Sequence, residues 1–229
     1  MKPSVEFPKF PRRLSAWGAA AACAAVMLLA AGCASPPDRY FTLAAPAASR
    51  ADTAPTGAAN AAGAAIGPPM FIELAPVAMA ERLARPQMLV RKRGGAEVEL
   101  LEQHRWASSF ENEMRDALSS GIAARLGAVD LTKGGRQPAQ PAWRIAVQLQ
   151  EFDAVENARV DAAFSWTVRR SDGERSATCR WRGGEPVGSG IDALAQGAQR
   201  VTAKAAEAIA AHVATLARGA APGAVASCG

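Results

Sequence analysis

The chain of 229 residues carries 26 Lys+Arg against 21 Asp+Glu, a formal charge of +5 at pH 7. Lys2, Lys9, Arg12, Arg13 and Glu6 all fall in the first 32 residues, so the remaining 197 hold 22 basic against 20 acidic side chains. That balance excludes a nucleic-acid footprint, and two histidines are too few for a His-rich metal site.

The N-terminus reads as an address rather than as structure. The basic residues precede an Ala-rich apolar run over 14–31, and Leu28-Leu29-Ala30-Ala31-Gly32-Cys33 closes it with small residues before a cysteine. This is the pattern of a bacterial lipobox, with Ala30 at the place where Leu is commonest. Residues 1–32 are then a lipoprotein signal peptide, and Cys33 carries the covalent diacylglycerol and N-acyl lipid. A non-cleaved membrane span is the weaker reading, because so Ala-rich a segment is only weakly apolar. The working chain is expected to start at Cys33 outside the cytoplasm, with residues 33–38 as a lipidated tether.

Arg39-Tyr40-Phe41-Thr42-Leu43 follows as a short first strand over 39–43. Residues 44–69 are rich in Ala, Gly and Pro with almost no large apolar side chain, an insertion that cannot bury a core. Globular texture begins at Met70 and is expected to run to residue 218. Phe71 to Val77 reads as a strand broken at Pro76, and residues 88–92 and 97–101 flank Gly94-Gly95 as a hairpin. Residues 108–126 read as a helix with Ser108 and Glu111 in a capping box and Phe110, Met114, Ala117, Leu118 and Ile122 on one stripe; Glu113, Arg115 and Asp116 fall outside it.

Two strands then alternate cleanly. Trp143, Ile145, Val147 and Leu149 face one way, and Val160, Ala162, Phe164, Trp166 and Val168 repeat the pattern. Residues 171–174 turn the chain into a third strand over 175–182, with Ala177, Cys179 and Trp181 inward. A Gly- and Pro-rich joint over 183–190 leads to a second helix over 191–217, whose stripe runs from Ile191 to Leu216 and which Gly219 closes. Residues 219–229 form a C-terminal tail. The expectation is an α+β single domain with a mostly antiparallel or mixed sheet of about five to six strands, covered by two main helices.

The cysteines admit two readings. Cys23 leaves with the signal peptide and lipid consumes Cys33, so Cys179 and Cys228 either form one bridge or stay as a buried thiol and a terminal one. Catalytic motifs are thin. Gly188-Ser189-Gly190 has the wrong spacing for a nucleophile elbow, and no phosphate loop, His-Glu-x-x-His or Cys-x-x-Cys occurs. His104 reads as part of a solvated turn and His212 as a boundary residue of the last helix. An inward Cys179 is poorly placed for nucleophilic work. No catalytic residue, metal ligand or free cofactor is assigned, and the chain is expected not to be an enzyme.

Three ordered motifs carry a resemblance: Tyr40-Phe41-Thr42-Leu43, then Leu83-Ala84-Arg85-Pro86-Gln87, then Arg105-Trp106-Ala107 ahead of a helix. Together with Cys33 they resemble the ABC-type transport auxiliary lipoproteins, the PqiC/YmbA-like components of Pqi-type MCE transport systems. The chain departs from that family at Phe41, Ala84 and the residues after Ala107, and in the length of 44–69. The resemblance implies a lipoprotein on the periplasmic face of a Gram-negative outer membrane. Its partners would be a periplasm-spanning MCE-domain protein and an inner-membrane permease that together move lipids, with no nucleic acid and with homo-oligomerisation left open. Tyr40, Leu43, Arg85, Pro86, Gln87, Arg105 and Trp106 are then either a docking surface or a packing unit. A scaffold lipoprotein of the envelope is the alternative from another class. Replacing Cys33→Ser is expected to leave an unprocessed precursor that takes up no labelled palmitate; mature-sized, labelled protein from that variant overturns the lipobox reading.

Overall fold

The computed structural model describes residues 36–44, 69–134, 140–174, 176–219 and 226–227. The long period-2 runs form strands as their pattern demands. β6 (Trp143–Val155) and β7 (Arg159–Arg170) pair antiparallel along their length, and β8 (Ser176–Pro186) adds to the far side of β7. Ile145, Val147, Leu149, Val160, Phe164, Trp166 and Val168 are buried on one face. Gln148, Ser165 and Arg180 align across the other. A register shift between Leu149 and Glu151 adds a residue to β6, so Phe152 and Ala154 continue the apolar face beyond it.

The opposite edge of β6 is shared. β2 (Phe71–Leu74) runs parallel to its first residues, Ala78 bridges to Gln148, and β3 (Gln87–Arg91) meets it at Val155. β4 (Val98–Trp106) forms the hairpin with β3, and β1 (Arg39–Phe41) lies parallel to β4. β5 (Val129–Asp130) pairs with β2, and β9 (Ala226–Ser227) runs parallel to β8.

The fold is α+β, but among the described residues the mixed sheet has nine strands rather than five to six. Two of them, β5 and β9, are two residues long and leave no periodicity in the sequence. The first strand is also shorter than expected: β1 ends at Phe41, and Thr42 and Leu43 have left the ladder. The joint expected over 183–190 is strand up to Pro186. β8 keeps going because the Trp181 ring lies over Gly183 where a Cβ would otherwise stand, and Trp181 itself is half-buried rather than fully inward.

Both helices lie on the apolar face. α1 (Phe110–Leu126) and α2 (Ile191–Ala217) bury the expected stripes, Met114, Leu118 and Ile122 from one and Leu194, Val201, Ala205, Ile209 and Val213 from the other. They approach closely where a Cβ on Gly121 would stand 3.0 Å from the Ala206 methyl. The capping box is displaced by one residue: Ser109 is the N-cap, its Oγ accepting from the Asn112 amide at 3.3 Å. Glu111 takes no part in the cap, and Glu113 and Arg115 are partly buried rather than outside. Arg115 donates to the Leu74 carbonyl at 3.3 Å, which fastens α1 to β2.

Three polar groups lie inside this frame, and the sequence reading had marked only Cys179 as inward. Glu185 is 7% exposed at the end of β8. Burial pushes its carboxyl pKa up, but Lys204 and Arg200 of α2 outweigh that and hold it below the usual carboxylate range. Cys179, fully buried, is disulfide-bonded and aligns with Ala226 of β9; Cys228, paired with it in the sequence reading, lies outside the described residues. His212 is a half-buried partner of the core, and its Nδ1 accepts from the buried Trp166 indole at 2.9 Å.

Burial lowers the His212 pKa below its ordinary 6.5. The unfolded chain therefore takes up a proton first as pH falls. This contribution to stability is complete above pH 6.5 and is lost as pH drops towards the folded value. Urea midpoints measured across that window should fall with acidification, and His212→Gln should flatten the slope; a midpoint unchanged between neutral pH and the lower end of the window contradicts the assignment.

Candidate docking corner

The three motifs converge at one flank of the sheet. In register, Tyr40 stands beside Arg105 and Arg105 beside Gln87, so β1, β4 and β3 each contribute one motif to a single row. Backbone hydrogen bonds close the unit: the Trp106 amide donates to the Pro86 carbonyl at 2.6 Å, and the Ala107 amide to Phe41 at 2.7 Å. The chain then turns directly into α1.

The Glu113 carboxylate fastens this corner. One oxygen accepts from the Thr42 hydroxyl and the Leu43 amide, both at 2.9 Å, and the other from the Ser108 hydroxyl at 3.1 Å. α2 adds two more ties. The Gln199 amide donates to the Thr42 carbonyl at 2.8 Å, and the Arg39 guanidinium grips Asp192 through both carboxylate oxygens at 2.9 and 3.0 Å. Arg39 also lies over the Phe41 ring, which stacks on His104. Residues 102–105 are thus part of β4, not a solvated turn, and His104 is partly covered.

The seven motif residues divide by environment. Leu43 and Trp106 are buried, at 2% and 4% exposure. The Trp106 ring sits 5.4 Å from Phe110, which meets Phe152 edge-on at 4.8 Å, so these residues are core. Tyr40 is 63% exposed, Arg85 and Pro86 are exposed, and Gln87 and Arg105 are half-covered. Arg105 is held locally, its Nε donating to the Glu102 carbonyl at 2.6 Å. The packing and docking readings therefore apply to different members of the same set: an apolar anchor beneath, a polar ledge above. Cys33 lies outside the described residues.

Beneath the ledge, Leu83, Met88, Trp106, Phe110, Phe152 and Leu194 surround a cavity of about 20 Å³. That is room for about one water and far below the roughly 300–1,000 Å³ of small-molecule sites. An acyl chain does not fit there. Glu113, the residue that organises the corner, was missed because its partners Thr42 and Leu43 lie 71 and 70 residues away; no local spacing marks it.

Hydrogen bonds to a charged group are worth about 1.5–3 kcal/mol each, net. Because Thr42 is exposed and Glu113 only partly buried, water replaces part of the three bonds, so Glu113→Ala should lower the unfolding free energy by about 2–3 kcal/mol and raise hydrogen exchange at Leu43 above that of β7 amides. Unchanged protection at Leu43 would show that the carboxylate does not hold this segment.

Comparison with known proteins agrees with the geometry. The family model described as "ABC-type transport auxiliary lipoprotein component" matches residues 34–210. A crystal structure of an uncharacterized protein is similar with a TM-score of 0.58 at 13% identity, over 78% of this chain and 99% of that one. A crystal structure from Xanthomonas campestris, of the DUF330 family, is similar with a TM-score of 0.51 at 14% identity, over 68% of this chain and 91% of that one. At such identities the likeness concerns the fold. No curated protein matches the sequence.

Proposed function

Because the chain belongs to the ABC-type transport auxiliary lipoprotein component family, we propose that it is the outer-membrane lipoprotein of an MCE/Pqi-type system that moves lipids between membranes. In this reading Cys33 holds the protein on the periplasmic face through its lipids, and the protein docks to a periplasm-spanning MCE-domain protein served by an inner-membrane permease. Its work is attachment rather than catalysis or carriage. Three acyl chains on Cys33 would far exceed the marginal binding of a single chain, at about 0.8 kcal/mol per buried methylene.

The observation that carries the docking reading is the split within the motif corner. Leu43 and Trp106 are explained by packing, whereas the exposure of Tyr40, Arg85 and Pro86 is not. Half-covered Gln87 and Arg105 complete a ledge that combines an aromatic ring, two guanidiniums and an amide. Tyr and Arg are the residue types enriched where interfaces concentrate their binding energy.

The test is co-purification from crosslinked cells. The unaltered chain should bring down an MCE-domain protein and a permease. Arg85→Ala combined with Arg105→Ala should weaken that recovery at least several-fold while the isolated domain keeps its thermal midpoint. Full recovery by the stable double variant rejects the ledge as the docking surface. Absence of both partners from the unaltered chain favours an envelope scaffold instead.

A further inference from the structure

Strand direction fixes which end of the domain the tether leaves from. β1 runs parallel to β4 and antiparallel to β3, so its first residue, Arg39, lies towards the end where β3 finishes at Arg91. The β6–β7 turn reaches the same end, since Arg91 aligns with Val155 and Val155 with Arg159, and so does the end of β8, since Arg159 aligns with Pro186. Asp192, at the start of α2, is there too and binds Arg39.

Three loops at this end are bonded into one platform. Arg93 donates to the Asn157 carbonyl, the Asn157 side chain accepts from the Gly190 amide at 3.2 Å, and the Val187 amide donates to the Ala158 carbonyl at 2.9 Å. Arg91 and Lys92 are paired inside it with Asp153 and Glu99. Its tip exposes Lys92, Arg93, Gly94, Gly95 and Ala96, and the neighbouring Glu97 and Glu156 set two carboxylates against the two cations.

The two distances are then comparable. Arg39 aligns with His104, which lies between the Arg105–Gln87 and Leu101–Met88 pairs where the β3–β4 register shifts, so Arg39 stands no nearer the tip than Met88. Six residues of strand and turn separate Met88 from Gly94, a rise of about 20 Å. Six peptide steps separate Cys33 from Arg39, a reach of at most about 20 Å. We infer that the platform of loops 92–96, 156–158 and 187–190 rests on the phospholipid headgroup layer that holds the Cys33 lipids, so that the short tether and the projecting β3–β4 tip together fix the domain's orientation. This rests on the lipid-anchor reading above. The near balance of charge in the platform makes it a rest held by the tether, and the small residues at its tip permit close approach to headgroups. The motif ledge then stands on the flank of the upright domain, clear of the bilayer.

Full-length lipoprotein in cells that process it, grown with phosphorus-labelled phospholipid, provides the test. Ala96→p-benzoylphenylalanine should give a labelled lipid adduct on illumination, several-fold stronger than Arg85→p-benzoylphenylalanine. Inserting about twenty flexible Gly/Ser residues before Asp38 should cut the adduct at position 96 several-fold, because the tip is then no longer held down. Palmitate labelling of each variant is read separately. A palmitoylated chain with no lipid adduct at position 96, with a protein adduct there in its place, or with an equal lipid adduct at position 85 overturns the orientation. Absence of palmitate from the chain overturns the anchor and the orientation together.

Discussion

The thirteen residues of β6 are the constraint on which the rest of the structure depends. One edge of this strand is committed to β7 along its whole length, and the other is divided among β2, Ala78 and β3. Each of those three contacts places a different part of the molecule. β2 brings the floor under α1, where Arg115 reaches the Leu74 carbonyl. β3 carries the hairpin and, through β4, the first strand of the domain. Because a slip of one residue would turn every side chain of β6 to the other face, the buried Ile145, Val147 and Leu149 hold the register for all of them.

A second dependency runs through one carboxylate. β1 is three residues long and sits at a sheet edge, too short to persist on ladder bonds alone. Glu113, Gln199 and Asp192 supply what the ladder lacks, and they come from both helices. The segment nearest the tether is therefore tied to the helical layer and the sheet at once. A pull on the chain at Arg39 is passed to α2 through Asp192, and at Leu43 to α1 through Glu113. The anchored, partner-holding domain proposed above would need that kind of fixing, since a frayed first strand would lengthen the tether and free the domain to tip.

The buried polar groups follow the same economy. Glu185 would be costly where it stands, but two cations four residues apart on α2 reach it together. The Trp166 indole would lose a hydrogen bond inside the core, and His212 provides the acceptor in its neutral form. Both pairs join α2 to the β7–β8 part of the sheet, so they add direction to an interface whose helical side is largely Ala and Val. Small side chains give close approach but little shape, and the polar contacts select one register for the helix.

Periodicity made much of this legible in the sequence. The alternation of β6 and β7, the bounds of α2, the Gly94-Gly95 hairpin and the stripe of α1 are local patterns, and local patterns survive in a linear text. The order of the three motifs likewise pointed to the family. What escaped was non-local. β5 and β9 exist because a neighbouring edge offers backbone partners, not because two residues have a period. The cap moved to Ser109, and the expected partner of Ser108 became Glu113, because the carboxylate had to serve Thr42 and Leu43 as well. His104 and His212 looked peripheral in sequence, since the rings that cover them are Phe41 and Trp166, 63 and 46 residues away. The division of the motif residues into core and ledge was likewise beyond the sequence, because spacing shows which residues recur together and only packing decides which of them face water. By itself the sequence determined the class of fold and the elements with a period. The tertiary structure decided which distant groups meet, because a hydrogen bond or a buried ring depends on separation in space, and separation along the chain does not encode it.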